Sequence, residues 1–215
     1  MKLLYVKCNP KPEEQSACLR VGRAFVQRYE RRFPEHGVEE LDLYTTNLPE
    51  LTGEWLSGRS ALVSGEAYDR LPYGAQAQVD YMQALCTQFL SADTVAIAAP
   101  MWSASFPPRL KTYVDCVVLN GRAIEVTPKR VRGLLGDKPR RLVFIQSCGG
   151  NYHNPLLAHF NDANRYLKSL FLFLGVEEYI RLGVDGTGSP TIGMECAIRQ
   201  ATGRIDRVLD DLMLD

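Results

Sequence analysis

The chain has 215 residues, 46% of them hydrophobic and 23% charged, which is the make-up of an ordinary globular protein with room for a substantial core. Lys and Arg total 25 and Asp and Glu total 25, so no net field argues for a nucleic acid or an anionic membrane surface as partner. The first apolar run is too short for a signal peptide, no segment has the apolar length of a membrane helix, and six scattered cysteines without a CxxC pair fit reduced thiols in the cytoplasm.

Residues 2–8 read as a first strand, since Leu3, Leu4, Tyr5 and Val6 run without polar interruption, as in a strand covered on both faces. Asn9-Pro10-Lys11-Pro12 breaks it, and residues 16–32 form an amphipathic helix with Leu19, Phe25 and Tyr29 to one side. Residues 38–43 give a second strand. Residues 44–74 form an irregular excursion, with one short helix expected near 55–63, and a helix follows at 75–90. The apolar run 94–100, stopped by Pro100, is a buried third strand, and Leu110, Tyr113, Val114, Val117 and Val118 set a helical spacing after it.

Residues 121–138 are rich in Gly and basic side chains, with β-like pieces at 123–126 and a turn at Pro128-Lys129. A fourth strand is expected at 141–146 and a helix at 159–174, which Gly175 ends. A fifth strand at 177–184, a Gly-rich loop at 185–190 and a last helix over 191–213 complete the chain. Strands separated by helices imply an α/β fold with right-handed crossovers. We expect one domain over residues 1–215, a flavodoxin-like, doubly wound, five-stranded parallel sheet of order 2-1-3-4-5 with helices on both faces.

In such a sheet the loops at the carboxyl ends of the strands meet at one crevice. The first loop leads from Asn9 to Ser16, Ala17 and Cys18, where a helix start offers free N–H groups suited to phosphate; capping by Ser16 explains the same residues without a ligand. The second runs from Pro100 through Met101, Trp102, Ser103 and Ala104 to Phe106, and its large apolar side chains either face a flat ligand or cap the sheet's end. The third, Ser147, Cys148, Gly149 and Gly150, lets the backbone approach a ligand closely or serves as a tight turn. Neither GxGxxG nor GxxxxGK[ST] is present. A phosphate joined to a planar, polar-edged ring fits all three loops together, as in a flavin mononucleotide.

These stretches, NPKPEEQSACLRVGRAF, APMWSASFPPRLKTYVDCVVLNG and SCGGN, resemble the FMN-dependent NADH azoreductases, which are also NADH:quinone oxidoreductases. The resemblance covers nearly the whole chain and is weakest at 44–74. It implies a flavodoxin-like homodimer binding FMN, with NADH or NADPH as co-substrate and a quinone or azo compound as acceptor. By it, Ser16, Ala17 and Cys18 hold the phosphate, Met101, Trp102, Ser103 and Ala104 line the ring, and Ser147, Cys148, Gly149 and Gly150 meet its pyrimidine edge. Ser103 stands where the family pattern commonly has Asn, and Ala104 where it has a larger apolar residue. The implied chemistry is carried by the cofactor, in a two-electron ping-pong cycle.

Tyr152 and His153 are candidate proton donors or plain surface residues. His36 and His159 show no metal-ligand spacing, so no metal site is expected. Cys148 is either a structural thiol or a nucleophile without an assigned base. The rival functions are a flavodoxin-type electron carrier and a non-catalytic flavin-binding module; the neutral charge balance argues against the former.

Overall fold

The computed structural model describes residues 1–152 and 155–212. Strand β1 (Lys2–Lys7) buries four consecutive side chains. Helix α1 (Ala17–Arg32) starts at Ser16, whose Oγ accepts the Leu19 N–H at 3.3 Å. Strand β2 (Gly37–Asp42) leads into the excursion. There the expected helix at 55–63 is replaced by a short turn and an antiparallel hairpin of β3 (Leu56–Gly58) and β4 (Ala61–Leu62). Buried Trp55 anchors one end, its carbonyl accepting the Val63 N–H at 2.9 Å, while Ser60 turns the tip at φ 52°. A short helix α2 (Glu66–Asp69) then precedes α3 (Tyr73–Ser91).

Strand β5 (Thr94–Pro100) is buried at every position, and α4 (Pro108–Val117) opens on proline, which has no helical N–H to lose. Arg109 in its first turn staples the excursion down, donating to the Leu43 and Thr46 carbonyls at 2.9 and 3.1 Å beneath the Tyr44 ring. A second hairpin joins β6 (Ile124–Val126) to β7 (Val131–Gly133) around the expected turn. Strand β8 (Arg141–Cys148) runs two residues beyond the expected 141–146, so Ser147 and Cys148 belong to the sheet.

After the short α5 (Pro155–Ala158), helix α6 (Asp162–Leu174) begins three residues later than expected. Asn161 caps it, accepting the Asn164 N–H at 3.0 Å, and Gly175 ends it at φ 106°, a left-handed conformation that glycine adopts freely. Strand β9 (Glu178–Asp185) is followed by α7 (Gly193–Thr202) and α8 (Ile205–Asp211) in place of one continuous last helix. The break falls at Gly203-Arg204, where the Arg204 guanidinium turns back to donate to the Gly183 carbonyl. Met213 lies outside the described residues.

The central sheet is parallel throughout, in the order β2-β1-β5-β8-β9, which is the expected 2-1-3-4-5. Its two faces carry separate cores. Val95, Ile97 and Ala99 of β5 point to the layer of α3, α4 and α6, whereas Ala96 and Ala98 point to that of α1, α7 and α8. No helix among the described residues is long and apolar enough to cross a membrane.

Candidate active site

At the carboxyl edge of the sheet the loops after β1, β5 and β8 converge, as the topology requires. They enclose a crevice of about 190 Å³ to which Asn9, Ser16 and Ala17 contribute from the first loop. Pro100, Met101 and Trp102 come from the second loop, and Ser147 and Gly149 from the third. A fourth wall, unforeseen from the sequence, is formed by Thr187 of the connection after β9 and Met194 in the first turn of α7, and Lys11 and Gln15 complete the mouth. A larger cavity of about 410 Å³ under the excursion, lined by Leu48, Trp55 and Arg109 among others, shares no residue with the crevice.

The floor of the first loop is a small buried network. Asn9 donates through Nδ2 to Ser16 Oγ at 2.8 Å and accepts the Lys11 N–H at 3.0 Å, which pins the loop to the start of α1. Ser16 in turn uses its oxygen on Leu19, leaving the first-turn N–H groups of Ala17 and Cys18 without a helical acceptor. They point out of a positive helix end. The Cys18 side chain does not reach the crevice: it is fully buried, with Sγ 3.3 Å from Ser16 Oγ and 3.6 Å from Asn9 Nδ2.

The second loop is a tight hairpin. Trp102 and Ser105 exchange both backbone hydrogen bonds, at 2.9 and 2.8 Å, across Ser103 and Ala104, whose φ angles are 48° and 63°. A two-residue turn with both central φ angles positive favours Asn and Gly, so a Ser-Ala pair holds strain of about 1–3 kcal/mol per residue. The turn stays fixed because Met101 N–H donates to the Ser147 carbonyl at 2.7 Å and the Ala104 carbonyl accepts the Ala163 N–H, in the first turn of α6, at 3.1 Å. Trp102 is left 41% exposed at the crevice. Ser103 and Ala104 lie beyond the lining, and Phe106 is half-buried on the core, 5.5 Å from the Tyr166 ring, as a cap on the sheet's end.

In the third loop, β-strand alternation sends Ser147 to the crevice and Cys148 inward. Cys148 Sγ lies 3.6 Å from Arg181 Nη2, and burial pushes its thiol up to about 12, the opposite of what a nucleophile requires. Gly149 borders open space: a Cβ placed there would meet no atom within 4 Å. Gly150 is turned away, its carbonyl accepting the Gly186 N–H at 2.9 Å, and the Tyr152 ring packs against it, outside the lining. His153 lies outside the described residues.

Behind this loop sits a polar cluster that no sequence motif announced. Arg181 donates through Nη2 to Asp185 Oδ1 at 2.6 Å and through Nε to Gln146 Oε1 at 2.8 Å; Gln146 and Asn161 exchange amide hydrogen bonds at 2.9 and 2.7 Å. Burial alone would lower the Arg181 pKa, but hydrogen bonding to Asp185 reverses the sign and raises it. Gly183 makes the pair possible, since a Cβ there would stand 2.4 Å from Asp185 Oδ2 and 2.5 Å from Arg181 Nη1. Among the described residues no group of His, Cys, Asp and Glu could hold a metal ion, and all six cysteines are free thiols.

A family model described as a flavodoxin-like fold matches residues 1–208. An FMN-dependent NADH:quinone oxidoreductase of Clostridium botulinum (strain Eklund 17B / Type B) is 42% identical over 212 residues, which cover 98% of this chain and 99% of the relative. The chain belongs to this flavodoxin-like quinone oxidoreductase family. Another member, FMN-dependent NADH:quinone oxidoreductase 1 of Clostridium acetobutylicum, is 40% identical over 99% of this chain and 96% of its own. Among solved structures, azoreductase AzrA superposes with a TM-score of 0.84 at 27% identity, covering 97% of this chain and 98% of that one. The FMN complex of an FMN-dependent NADH-azoreductase from Bacillus anthracis superposes with a TM-score of 0.81 at 27% identity, over 96% of this family member and 98% of that chain.

Proposed function

We propose that this chain is an FMN-dependent NAD(P)H oxidoreductase that reduces quinones and azo compounds. One observation carries the reading: the free N–H end of α1, exposed Trp102 and the open space beside Gly149 border a single crevice at the sheet's switch point. The residues present fit the cofactor. Ser16 and the N–H groups of Ala17 and Cys18 would hold the phosphate, Pro100, Met101 and Trp102 would face the ring, and Ser147 and Gly149 would meet its polar edge. Bound there, FMN supplies two-electron chemistry between a nicotinamide and an oxidised acceptor.

The chain's own part is to orient and to exclude. The α1 dipole and Ser16 favour the anionic tail, while Met101 and Trp102 shield one side from water. Nicotinamide and acceptor would use the face beside exposed Trp102 in turn. Purified protein should therefore take up FMN, bleach on anaerobic titration with NADH or NADPH, and give parallel double-reciprocal lines with a quinone. Flavin that binds but stays oxidised would place the chain among non-catalytic flavin modules, and intersecting lines would end the shared-face proposal.

We also propose a homodimer. Its support is an apolar row at α6 and the turn before it, where Phe160 is 55%, Phe173 51% and Tyr166 38% exposed. Sedimentation equilibrium should return twice the chain mass of 24.1 kDa, and a monomer mass at micromolar protein would refute the dimer.

A further inference from the structure

We propose that Lys11 is the cation that pairs with the cofactor's phosphate, so that this crevice selects phosphorylated over unphosphorylated flavin. The inference rests on the flavin reading above and extends it to a residue to which the resemblance assigns no role. Among the described residues Lys11 is the only charged side chain lining the crevice. The other cations near the start of α1 are already engaged: Arg20 forks onto Glu195, and Arg23 bridges Glu13 at 3.2 Å and Glu40 at 2.9 Å. Lys11 has no ion-pair partner among the described residues.

The backbone of Lys11 is held in place. Pro10 and Pro12 flank it, Pro12 holding φ at −54°, and its N–H is bound to the buried Asn9 side chain. Asn9 is bonded to Ser16 Oγ, so two hydrogen bonds in series tie the lysine to the helix end that would receive the phosphate. That end carries only about half a positive charge, while a phosphate monoester is close to a dianion at neutral pH. A compact ammonium on a flexible stem supplies the missing charge without demanding a fixed geometry. Glu13, the nearest acid in the loop, is held by Arg23 and is absent from the lining.

The test compares FMN with riboflavin, which differ only in the phosphate. Apo-protein of the parent, Lys11→Met and Lys11→Arg chains is titrated with each flavin by fluorescence quenching, at low and high ionic strength. Lys11→Met should lose about tenfold in FMN affinity, between what an exposed pair and a charge-assisted hydrogen bond contribute. Its riboflavin affinity should not change, its FMN binding should respond less to salt, and Lys11→Arg should keep the parent's preference. An unchanged FMN affinity in Lys11→Met, or equal losses for both flavins, would overturn the proposal. A parent chain that takes up neither flavin would remove the flavin reading itself, and the inference with it. Lys11 is exposed, so loss of folding does not confuse these outcomes.

Discussion

A Gly149→Leu chain should unfold at the parent's temperature and bind FMN at least about a hundredfold more weakly, a loss of roughly 3 kcal/mol. Folding is spared because the added Cβ meets no protein atom within 4 Å and Gly149 is absent from the left-handed residues. The same openness is what a bound ring needs. A leucine would project into a crevice of about 190 Å³ and occupy much of it. Gly149→Ala should fall between the two. Thermal unfolding of the apo-protein together with flavin titration separates folding from binding, and a leucine variant with parental FMN affinity would mean that the ring's edge does not lie at this loop.

The second large effect is expected at Arg181→Met, which should destabilise the chain by about 3–5 kcal/mol, the usual cost of removing one partner of a buried ion pair. For a domain of this size that lowers the melting temperature by roughly 6–20 °C. Asp185 has a side chain only 2% exposed and Arg181 one 15% exposed, so the pair is shielded from water. Gln146 Oε1 would lose a donor in the same step. The damage should also reach the crevice, because the connection after β9 holds the third loop: Gly186 N–H donates to the Cys148 carbonyl at 3.0 Å and Gly188 N–H to that of Gly149 at 3.1 Å. FMN affinity should therefore fall even well below the melting point. An Arg181→Met chain as stable as the parent would show that the cluster is solvated and contributes little.

What could be read from the residues, and what could not, follows from how local each signal is. The run 94–100 announces its strand because every position is buried and each side chain can be apolar. The strand order follows from five strands alternating with helices. The hairpin at Leu56–Leu62 escaped because strands of two or three residues have no periodicity, and Trp55 beside Leu56 looks like the start of a helical stripe. Only the resemblance puts Cys148 at the ligand; β8 runs through it and its side chain is buried, which no local pattern announces.

The cluster of Gln146, Asn161, Arg181 and Asp185 spans three elements, and only the fold brings its members together. Lys11 carried a weak signal, a lysine between two prolines in a loop that must turn sharply. Thr187 and Met194 carried none, since their wall is built by a connection and a helix start that hold no motif.

The backbone of the aromatic turn is fastened to β8 on one side and to α6 on the other, with its own two-residue link closed between them. Most of the ordering that a ligand would otherwise impose on this stretch is therefore complete when the chain folds. A wall with so fixed a backbone would discriminate by outline, and tolerance for unfamiliar acceptors would have to come from the open side of the groove.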